Sequence, residues 1–185
     1  ARQGSSICQC NLGLCYKFGT GVDVDQVVAV KWFRKSADQS DSTAERLLGE
    51  CYRDGAGVAR DPIAAAALFR KAADQNEASA QNHRGECYKN GIGLDKDPLL
   101  AVEWYQKAAD QGHTAAQRNL AACYAGGIGV PADVLAAMKW YKVAADNGSK
   151  LAAKQLSVLR QSVATGGSDG GKPVTHESKR RRVER

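Results

Sequence analysis

Residues 47–74 read LLGECYRDGAGVARDPIAAAALFRKAAD, and stretches of this kind occur four times along the 185-residue chain. The copies lie in register at a spacing of 36 residues. The residues that recur at this spacing include Tyr16, Tyr52, Tyr88 and Tyr124; Gly21, Gly57, Gly93 and Gly129; and Asp25, Asp61, Asp97 and Asp133. A fixed period of this length is the sequence signature of a repeat architecture, in which each unit is one small supersecondary element.

Each unit contains the patterns of two helices. In the second unit, apolar residues recur at helical spacing over residues 44–52 and again over residues 65–73. Asp61 followed by Pro62 predicts the start of the second helix, and the STAE sequence at 42–45 predicts a capping box for the first. The Gly-x-Gly segment between them suits a turn with positive φ angles. A single hairpin leaves an apolar face uncovered, so successive units are expected to stack.

The sequence therefore predicts an all-α fold, a right-handed α-solenoid of four 36-residue helix-turn-helix repeats plus a C-terminal capping helix. The predicted boundaries are 8–43, 44–79, 80–115 and 116–151 for the repeats, 152–162 for the capping helix and 163–185 for a basic tail. The tail is rich in glycine, serine and charge and has almost no apolar residues, which predicts disorder.

The repeated pattern L-G-x-x-Y-x-x-G-x-G-V-x-x-D, then A-x-x-W-[FY]-x-K-A-A-D-x-G, resembles the Sel-one-like repeat family, a relative of the tetratricopeptide repeat. The resemblance implies an adaptor or scaffold that holds protein partners, with the first helix of each repeat on the concave face. Three positions depart from the pattern: Leu68 replaces tryptophan, Arg84 replaces leucine and Ala121 replaces glycine. Arg84 is interpreted either as a structural arginine with an acidic partner or as a ligand contact.

The outward positions of the first helices are the candidate sites for a protein or peptide partner. These candidates are Arg46, Glu50, Arg53, Asn82, Glu86, Lys89 and Arg118. Arg46, Asn82 and Arg118 are copies of one position and predict a polar ladder that grips the amides and carboxylates of an extended peptide. The alternative is that the charges pair along each helix, as Arg46 with Glu50. We expect the chain alone to be a monomer.

No motif predicts catalysis, a cofactor or a metal site. The glycine-rich loops recur in all four repeats without a phosphate-binding lysine, which favours a structural turn. His83, His113 and His176 are scattered, with no cysteine or carboxylate at the spacing of metal ligands or a catalytic triad. The chain also lacks the Ser-x-x-Lys and Lys-Thr-Gly motifs of penicillin-recognising enzymes. We therefore expect a protein that is not an enzyme.

The net charge of +6 comes from 26 Lys and Arg residues against 20 Asp and Glu residues, and half of this excess lies in the last 21 residues. The basic cluster there consists of Lys179, Arg180, Arg181 and Arg182. Such a cluster predicts a nuclear-import signal or a contact with RNA or an acidic partner, and an inert end is the alternative. Nucleic acid is therefore expected to bind only through the tail. No apolar run approaches the roughly 18 residues of a membrane helix, so we expect no membrane association.

The cysteines predict free thiols. Four of the six are copies of one position, namely Cys15, Cys51, Cys87 and Cys123. Equivalent positions on stacked helices lie about 8–10 Å apart, beyond the roughly 7 Å that a disulfide spans between Cα atoms. A reducing compartment, cytoplasmic or nuclear, is therefore expected. Cys8 and Cys10 point in different directions on one helix, which argues against a shared metal; Cys8 is predicted to be in the core and Cys10 on the surface.

Overall fold

The computed structural model describes residues 4–166, and these residues form nine α-helices and no strands. The helices are α1 (Ser6–Phe18), α2 (Gln26–Ala37), α3 (Ser42–Asp54), α4 (Pro62–Asp74), α5 (Ala78–Asn90), α6 (Pro98–Asp110), α7 (Thr114–Gly126), α8 (Val134–Asp146) and α9 (Lys150–Gly166). The predicted import signal at 179–182 lies outside the described residues.

The helices pack in chain order. Each first helix packs on the second helix of its own repeat, and each second helix packs on the first helix of the next unit. The last helix, α9, packs on α8 and closes the stack. The buried apolar clusters join a second helix to the first helix of the next unit, as in repeat architectures, where each unit packs on its neighbours. The predicted all-α solenoid of four repeats with a capping helix is confirmed.

The second helices begin as predicted. Their N-cap residues are Asp25, Asp61, Asp97 and Asp133. In the fourth repeat, the Asp133 carboxylate accepts a hydrogen bond from the Ala136 amide, and its own amide donates to the Tyr124 carbonyl oxygen, each at 2.9 Å. One aspartate therefore both caps the second helix and closes the loop from the first helix.

The first helices begin differently from the prediction. A capping box at 42–45 was expected, but Asp41 is the N-cap of α3 and accepts a hydrogen bond from the Ala44 amide at 2.9 Å. The carboxylate of Glu45 does not turn back to the cap, because it accepts a hydrogen bond from Gln75 instead, at 2.8 Å. The equivalent caps of the later repeats are Glu77, His113 and Ser149.

A hydrogen bond between side chains ties the two ends of each repeat together across 30 residues. The pairs are Gln39 with Gln9, Gln75 with Glu45, Gln111 with Gln81, and Asn147 with Gln117. The acceptor residues in the second, third and fourth repeats are buried, at 2% to 4% exposure. A buried polar group needs a partner, so this bond fixes where the end of each second helix meets its first helix.

The second glycine of each loop sets the contact between repeats. A Cβ atom at Gly57, Gly93 or Gly129 would overlap backbone atoms of the preceding repeat, around the carbonyl groups of Gln26 and Pro62 in the first two cases. These glycines also have φ angles between 69° and 73°. Gly21 has a similar φ of 74° but no atom within 4 Å, so it shares the turn without sharing the contact.

The structure settles the interpretation of Arg84. Its Nη1 atom lies 2.6 Å from the Asp74 carboxylate, and its guanidinium carbon lies 4.0 Å from the ring centre of Trp104. A cation over an indole face is stabilised electrostatically. The side chain is 14% exposed, and its partners belong to the solenoid itself, so Arg84 is structural.

The cysteines are free thiols, and Cys51, Cys87 and Cys123 are buried as predicted, whereas Cys15 is half-buried. The predicted positions of Cys8 and Cys10 are reversed: Cys8 is exposed and Cys10 is buried. The equivalent of Cys8 in the second repeat packs on a preceding second helix, and no described helix precedes α1. Burial raises the pKa of the Cys10 thiol to about 11.

The capping helix is longer than its predicted range of 152–162. It begins at Lys150 and ends at Gly166. Ser149 caps its first turn through a bond from the Ala152 amide at 3.2 Å. No proline or glycine interrupts the chain before Gly166, so the helix extends four residues into the segment predicted to be a disordered tail.

Candidate binding surface along the first helices

The first helices form the inner side of the stack. Among helices that are not neighbours in the chain, α5 and α7 contact each other directly, and both are first helices. Polar contacts also join α1 to α3, α3 to α5, and α5 to α7. The side chains on this inner side line what is called here the groove.

Glu50 is the centre of a charged network in the groove. Its carboxylate lies 2.5 Å from Arg46, 3.1 Å from Lys17 and 3.3 Å from His83. Arg46 also lies 3.4 Å from the carboxylate of Glu77 in the next repeat. Burial raises the pKa of Glu50, but the bond from His83 and the charges of Arg46 and Lys17 outweigh burial and lower it to about 2. Glu50 is therefore ionised and fully paired.

His83 carries this network into the third repeat. Its Nε2 atom faces Glu50 and its Nδ1 atom lies 3.1 Å from Glu86, while its ring stacks on Phe69 with centroids 4.8 Å apart. The Arg53 guanidinium lies 3.2 Å from Nδ1. Burial lowers the pKa of His83, yet the bonds to the two glutamates raise it overall. The imidazolium form can donate to both carboxylates.

Asn82 and Arg53 also have partners within the groove. Asn82, which is 3% exposed, donates to Glu86 at 3.1 Å and accepts from Asn119 at 2.9 Å. Arg53 makes two bonds to the Asp54 carboxylate, at 2.7 and 2.9 Å. We call Lys17, Arg46, Glu50, His83 and Glu86 the paired half of the groove. The predicted residues in this half pair with other residues of the chain, as the alternative interpretation of the sequence expects.

The cations farther along the groove have no such partners. Within residues 4–166, no carboxylate lies within ion-pair distance of Lys89, Arg118 or Lys154. The repeat explains this difference, because the position of Glu50 and Glu86 is occupied by Ala122 and then Val158 in the later units. We call Lys89, Arg118 and Lys154 the unpaired half. Of the predicted ladder, only Arg118 keeps a guanidinium available to a partner.

A pocket adjoins the unpaired half. It has a volume of about 360 Å³ and lies between α7, α8 and α9. Its lining consists of Ala125, Tyr141, Leu151, Lys154, Gln155, Val158, Leu159 and Ser162. Burial raises the pKa of Tyr141, and the positive charge of Arg118 opposes this shift. The pocket is therefore largely apolar, with the cation Lys154 in its lining.

Several residues of the groove were not predicted. Lys17, His83 and Asn119 take part in the network, and Lys154 is the next copy of the ladder position after Arg118. The 36-residue period identifies Lys154 directly, because the capping helix continues the register of the first helices. Glu86 lies three residues after His83 on the same helix, whereas the contact of His83 with Glu50 has no comparable signal, since Glu50 comes from a different repeat.

Comparison with known proteins identifies the repeat. The family model described as Sel1 repeat matches residues 6–41, 42–77, 78–113 and 114–149. The chain belongs to the Sel1 repeat family. The matched units start two residues before the predicted units, so each begins at its first helix.

Two solved structures similar to this Sel1 repeat chain come from bacteria. A protective antigen of uropathogenic Escherichia coli strains with an SLR fold is 32% identical over 92% of this chain, with a TM-score of 0.78. A Sel1 repeat protein from Oxalobacter formigenes is 34% identical over 88% of this chain, with a TM-score of 0.80. The matches span 36% and 65% of those two chains.

More distant similarity supports the fold alone. Cysteine-rich protein B of Helicobacter pylori is 22% identical over 75% of this chain and 99% of its own, with a TM-score of 0.57. No curated protein sequence matches this chain. Sel1 repeat proteins are generally scaffolds for protein–protein interaction.

Residues 4–166 contain neither a membrane-spanning helix nor a clustered metal site. No helix in this range has the length and apolar character needed to cross a bilayer. No group of three histidine, cysteine or acidic residues is placed to hold a metal ion there.

Proposed function

We propose that this protein is a non-enzymatic adaptor that holds a protein or peptide partner in the groove formed by its first helices. The observation that carries the proposal is the set of cations in the unpaired half. Arg118 and Lys154 repeat the position of Arg46, whose charge Glu50 neutralises in the second repeat, and Lys154 lines an apolar pocket. Charged and apolar groups left without internal partners at one concave site are the features of a binding surface.

The paired half has a different role in this proposal. Its half-buried carboxylates already have cationic partners, so a ligand there would have to break existing ion pairs. Removing one partner of a buried pair is costly. The paired half therefore sets the spacing and rigidity of the groove, and the partner enters from the unpaired half.

Mapping a captured partner by hydrogen–deuterium exchange tests this proposal. Proteins are captured from a cell extract on the full chain, and amide exchange of the chain is measured with and without the captured proteins. Amide protection is then compared between first and second helices. Protection is expected along α7 and α9. A control variant with Lys139→Glu and Lys142→Glu reverses two charges on α8, which is a second helix. It is expected to capture the same proteins as the original chain. Protection confined to the second helices, or no capture, would contradict the proposal.

We also propose that the protein works in a reducing compartment. All six cysteines are free, and burial raises the thiol pKa of Cys51, Cys87 and Cys123. Protonated buried thiols are poor nucleophiles. Mass spectrometry after alkylation of protein taken from its native source is expected to find six modified cysteines; a disulfide would contradict the proposal.

A further inference from the structure

We infer that the pocket beside Tyr141 binds a short acidic segment of a partner protein that carries one bulky apolar side chain. This inference rests on the proposed adaptor function and names the chemistry of the ligand. The segment inserts its apolar side chain between α8 and α9, and its carboxylates lie on Arg118 and Lys154.

The lining of the pocket accounts for the apolar part of the ligand. Leu151 is 50% exposed and Val158 is 57% exposed, although both lie beside the buried ring of Tyr141. The volume of about 360 Å³ falls at the lower end of the range for ligand pockets, roughly 300–1,000 Å³. A single large side chain is the scale of group that such a pocket accepts.

Charge accounts for the acidic part. Lys154 lines the pocket, and Arg118 is near enough for its charge to act on Tyr141. Neither cation has a carboxylate within ion-pair distance in the described chain, whereas Arg46, at the same position in the second repeat, has two. An incoming carboxylate would supply the pairing that Glu50 supplies to Arg46. The chain's own basic segment at 179–182 has the wrong charge for this role.

Gln155 provides a third feature of the ligand. Gln155 lines the pocket, and its side-chain oxygen is buried without a hydrogen-bond partner within the described residues. A buried acceptor without a donor costs free energy. Rotation of the Gln155 side chain toward the pocket would offer this oxygen to the backbone amide of a bound peptide, which would then lie across α9.

Selection from a random library of 12-residue peptides displayed on phage tests the inference directly. The full chain is the bait, and one enriched peptide is then synthesised, labelled and titrated by fluorescence anisotropy. We expect the enriched peptides to combine aspartate or glutamate with leucine, isoleucine, phenylalanine or methionine. Affinity is expected to fall as sodium chloride is added, because exposed charges are screened.

Matched variants assign the contacts. Arg118→Glu with Lys154→Glu is expected to weaken binding by about tenfold or more. Ala122→Glu gives Arg118 an internal partner at the spacing of Arg46 and Glu50, and it is expected to weaken binding by a similar factor. Val158→Glu closes the apolar pocket from an exposed position. Lys139→Glu with Lys142→Glu is the charge-matched control and is expected to bind like the original chain. Circular dichroism checks that each variant is folded.

The outcomes separate the two proposals. Enrichment of basic peptides, or equal binding to the Arg118→Glu, Lys154→Glu variant, would overturn the inference while leaving a peptide-binding adaptor. A failure to enrich any peptide, together with no captured protein, would overturn the adaptor function as well. Binding of a single-stranded RNA oligonucleotide that depends on Arg118 and Lys154, or a dimer that Val158→Glu dissociates, would assign the surface to a different occupant and overturn the inference.

Discussion

The paired and unpaired halves of the groove are built from the same repeat but present opposite surfaces. In the paired half, Glu50 binds Lys17, Arg46 and His83, and Glu86 binds His83. In the unpaired half, Ala122 and Val158 stand at the same repeat position, and Arg118 and Lys154 are left without carboxylates in the described chain. A substitution at one repeated position thus converts a self-neutralised surface into one that offers charge to a partner.

The two halves also differ in what a mutation can disturb. The charges of the paired half are mutually dependent, because Glu50 contacts residues from three first helices. Those of the unpaired half act separately and can be changed without leaving a buried charge behind. Stability is therefore expected to respond mainly to changes in the paired half, and binding mainly to changes in the unpaired half.

The largest loss of stability is expected from a substitution that disturbs the contact between the third and fourth repeats. Gly129 lies in the loop of the fourth repeat, and a Cβ there would overlap the backbone of Pro98 in the third repeat, which cannot rotate away. We expect Gly129→Ala to lower the free energy of unfolding by about 3 kcal/mol, from overpacking and positive φ together. Urea unfolding followed by circular dichroism measures the change.

Gly21→Ala is the matched control for this prediction. Gly21 has a φ of 74° against 73° for Gly129, but it has no atom within 4 Å. Its substitution is expected to cost about 1 kcal/mol, the strain of positive φ alone. Equal losses for the two variants would show that the contact between repeats contributes nothing.

The next largest loss of stability is expected from removing the central carboxylate of the paired half. Glu50→Ala removes the carboxylate shared by Lys17, Arg46 and His83. We expect a loss of about 2 kcal/mol at pH 6, less than for a fully buried pair because these side chains are 16% to 21% exposed. Chemical denaturation of the variant and the original chain measures the difference.

The pH dependence follows from the lowered pKa. With a folded-state pKa of about 2, the contribution of Glu50 is complete above the unfolded value of roughly 4.3 and is lost as the pH falls through 2. Asp54→Ala is the control, because it removes a carboxylate that is 53% exposed, and we expect at most about 0.5 kcal/mol from it. A loss of similar size in both variants would argue against the network.

A smaller effect, in this case a gain in stability, is expected from making the second repeat more like the others. Glu45 is 4% exposed, and its equivalents in the other repeats are glutamines. Burial raises the pKa of Glu45, against the charge of Lys71 and the bond from Gln75. Glu45→Gln keeps a hydrogen-bond acceptor and removes the buried charge, so we expect about 1 kcal/mol of added stability at pH 7.

The sign of this effect can be checked by pH. Protonation of Glu45 removes the cost of its charge, so the advantage of Glu45→Gln is expected to shrink as the pH falls through the raised pKa of Glu45. Thermal unfolding at pH 7 and pH 4 measures both values. An advantage that grows toward acidic pH would contradict the assignment of the cost to a buried carboxylate.

The sequence was a reliable guide wherever a feature recurs. The N-cap aspartates, the glycine turns and the stacking order all follow from the 36-residue period, because each is a local rule applied four times. The period also predicts that Lys154 continues the ladder of Arg118. The cap at Asp41 was missed because two adjacent polar residues, Asp41 and Ser42, both satisfy the rule for an N-cap.

The pairing in the groove could not be read in the same way. Whether Arg46 binds Glu50 within its helix, Glu77 in the next repeat, or both depends on how far successive first helices approach each other. His83 is a further example, since it bridges glutamates from two repeats and stacks on a phenylalanine from a second helix. Such contacts depend on the stacking geometry, which sequence spacing does not specify.

The smallest change that distinguishes the halves is the titration of two histidines. Bonds to Glu50 and Glu86 raise the pKa of His83 above its ordinary value despite burial. His113 caps α7, where its Nδ1 atom accepts a bond from the Ala116 amide at 3.2 Å, and burial lowers its pKa. Nuclear magnetic resonance of the imidazole C–H groups is expected to show His83 titrating above, and His113 below, the value of about 6.5 for a free side chain.

The two shifts have opposite consequences for stability. The pairing of His83 stabilises the fold below the unfolded-state pKa and is lost as the pH rises through the raised pKa of His83. The cap formed by neutral His113 is instead lost as the pH falls through its lowered pKa. His83→Gln and His113→Gln variants assign the two signals, and Glu50→Ala is expected to move only that of His83 downward. A His83 signal that keeps its pKa in Glu50→Ala would remove this histidine from the paired half.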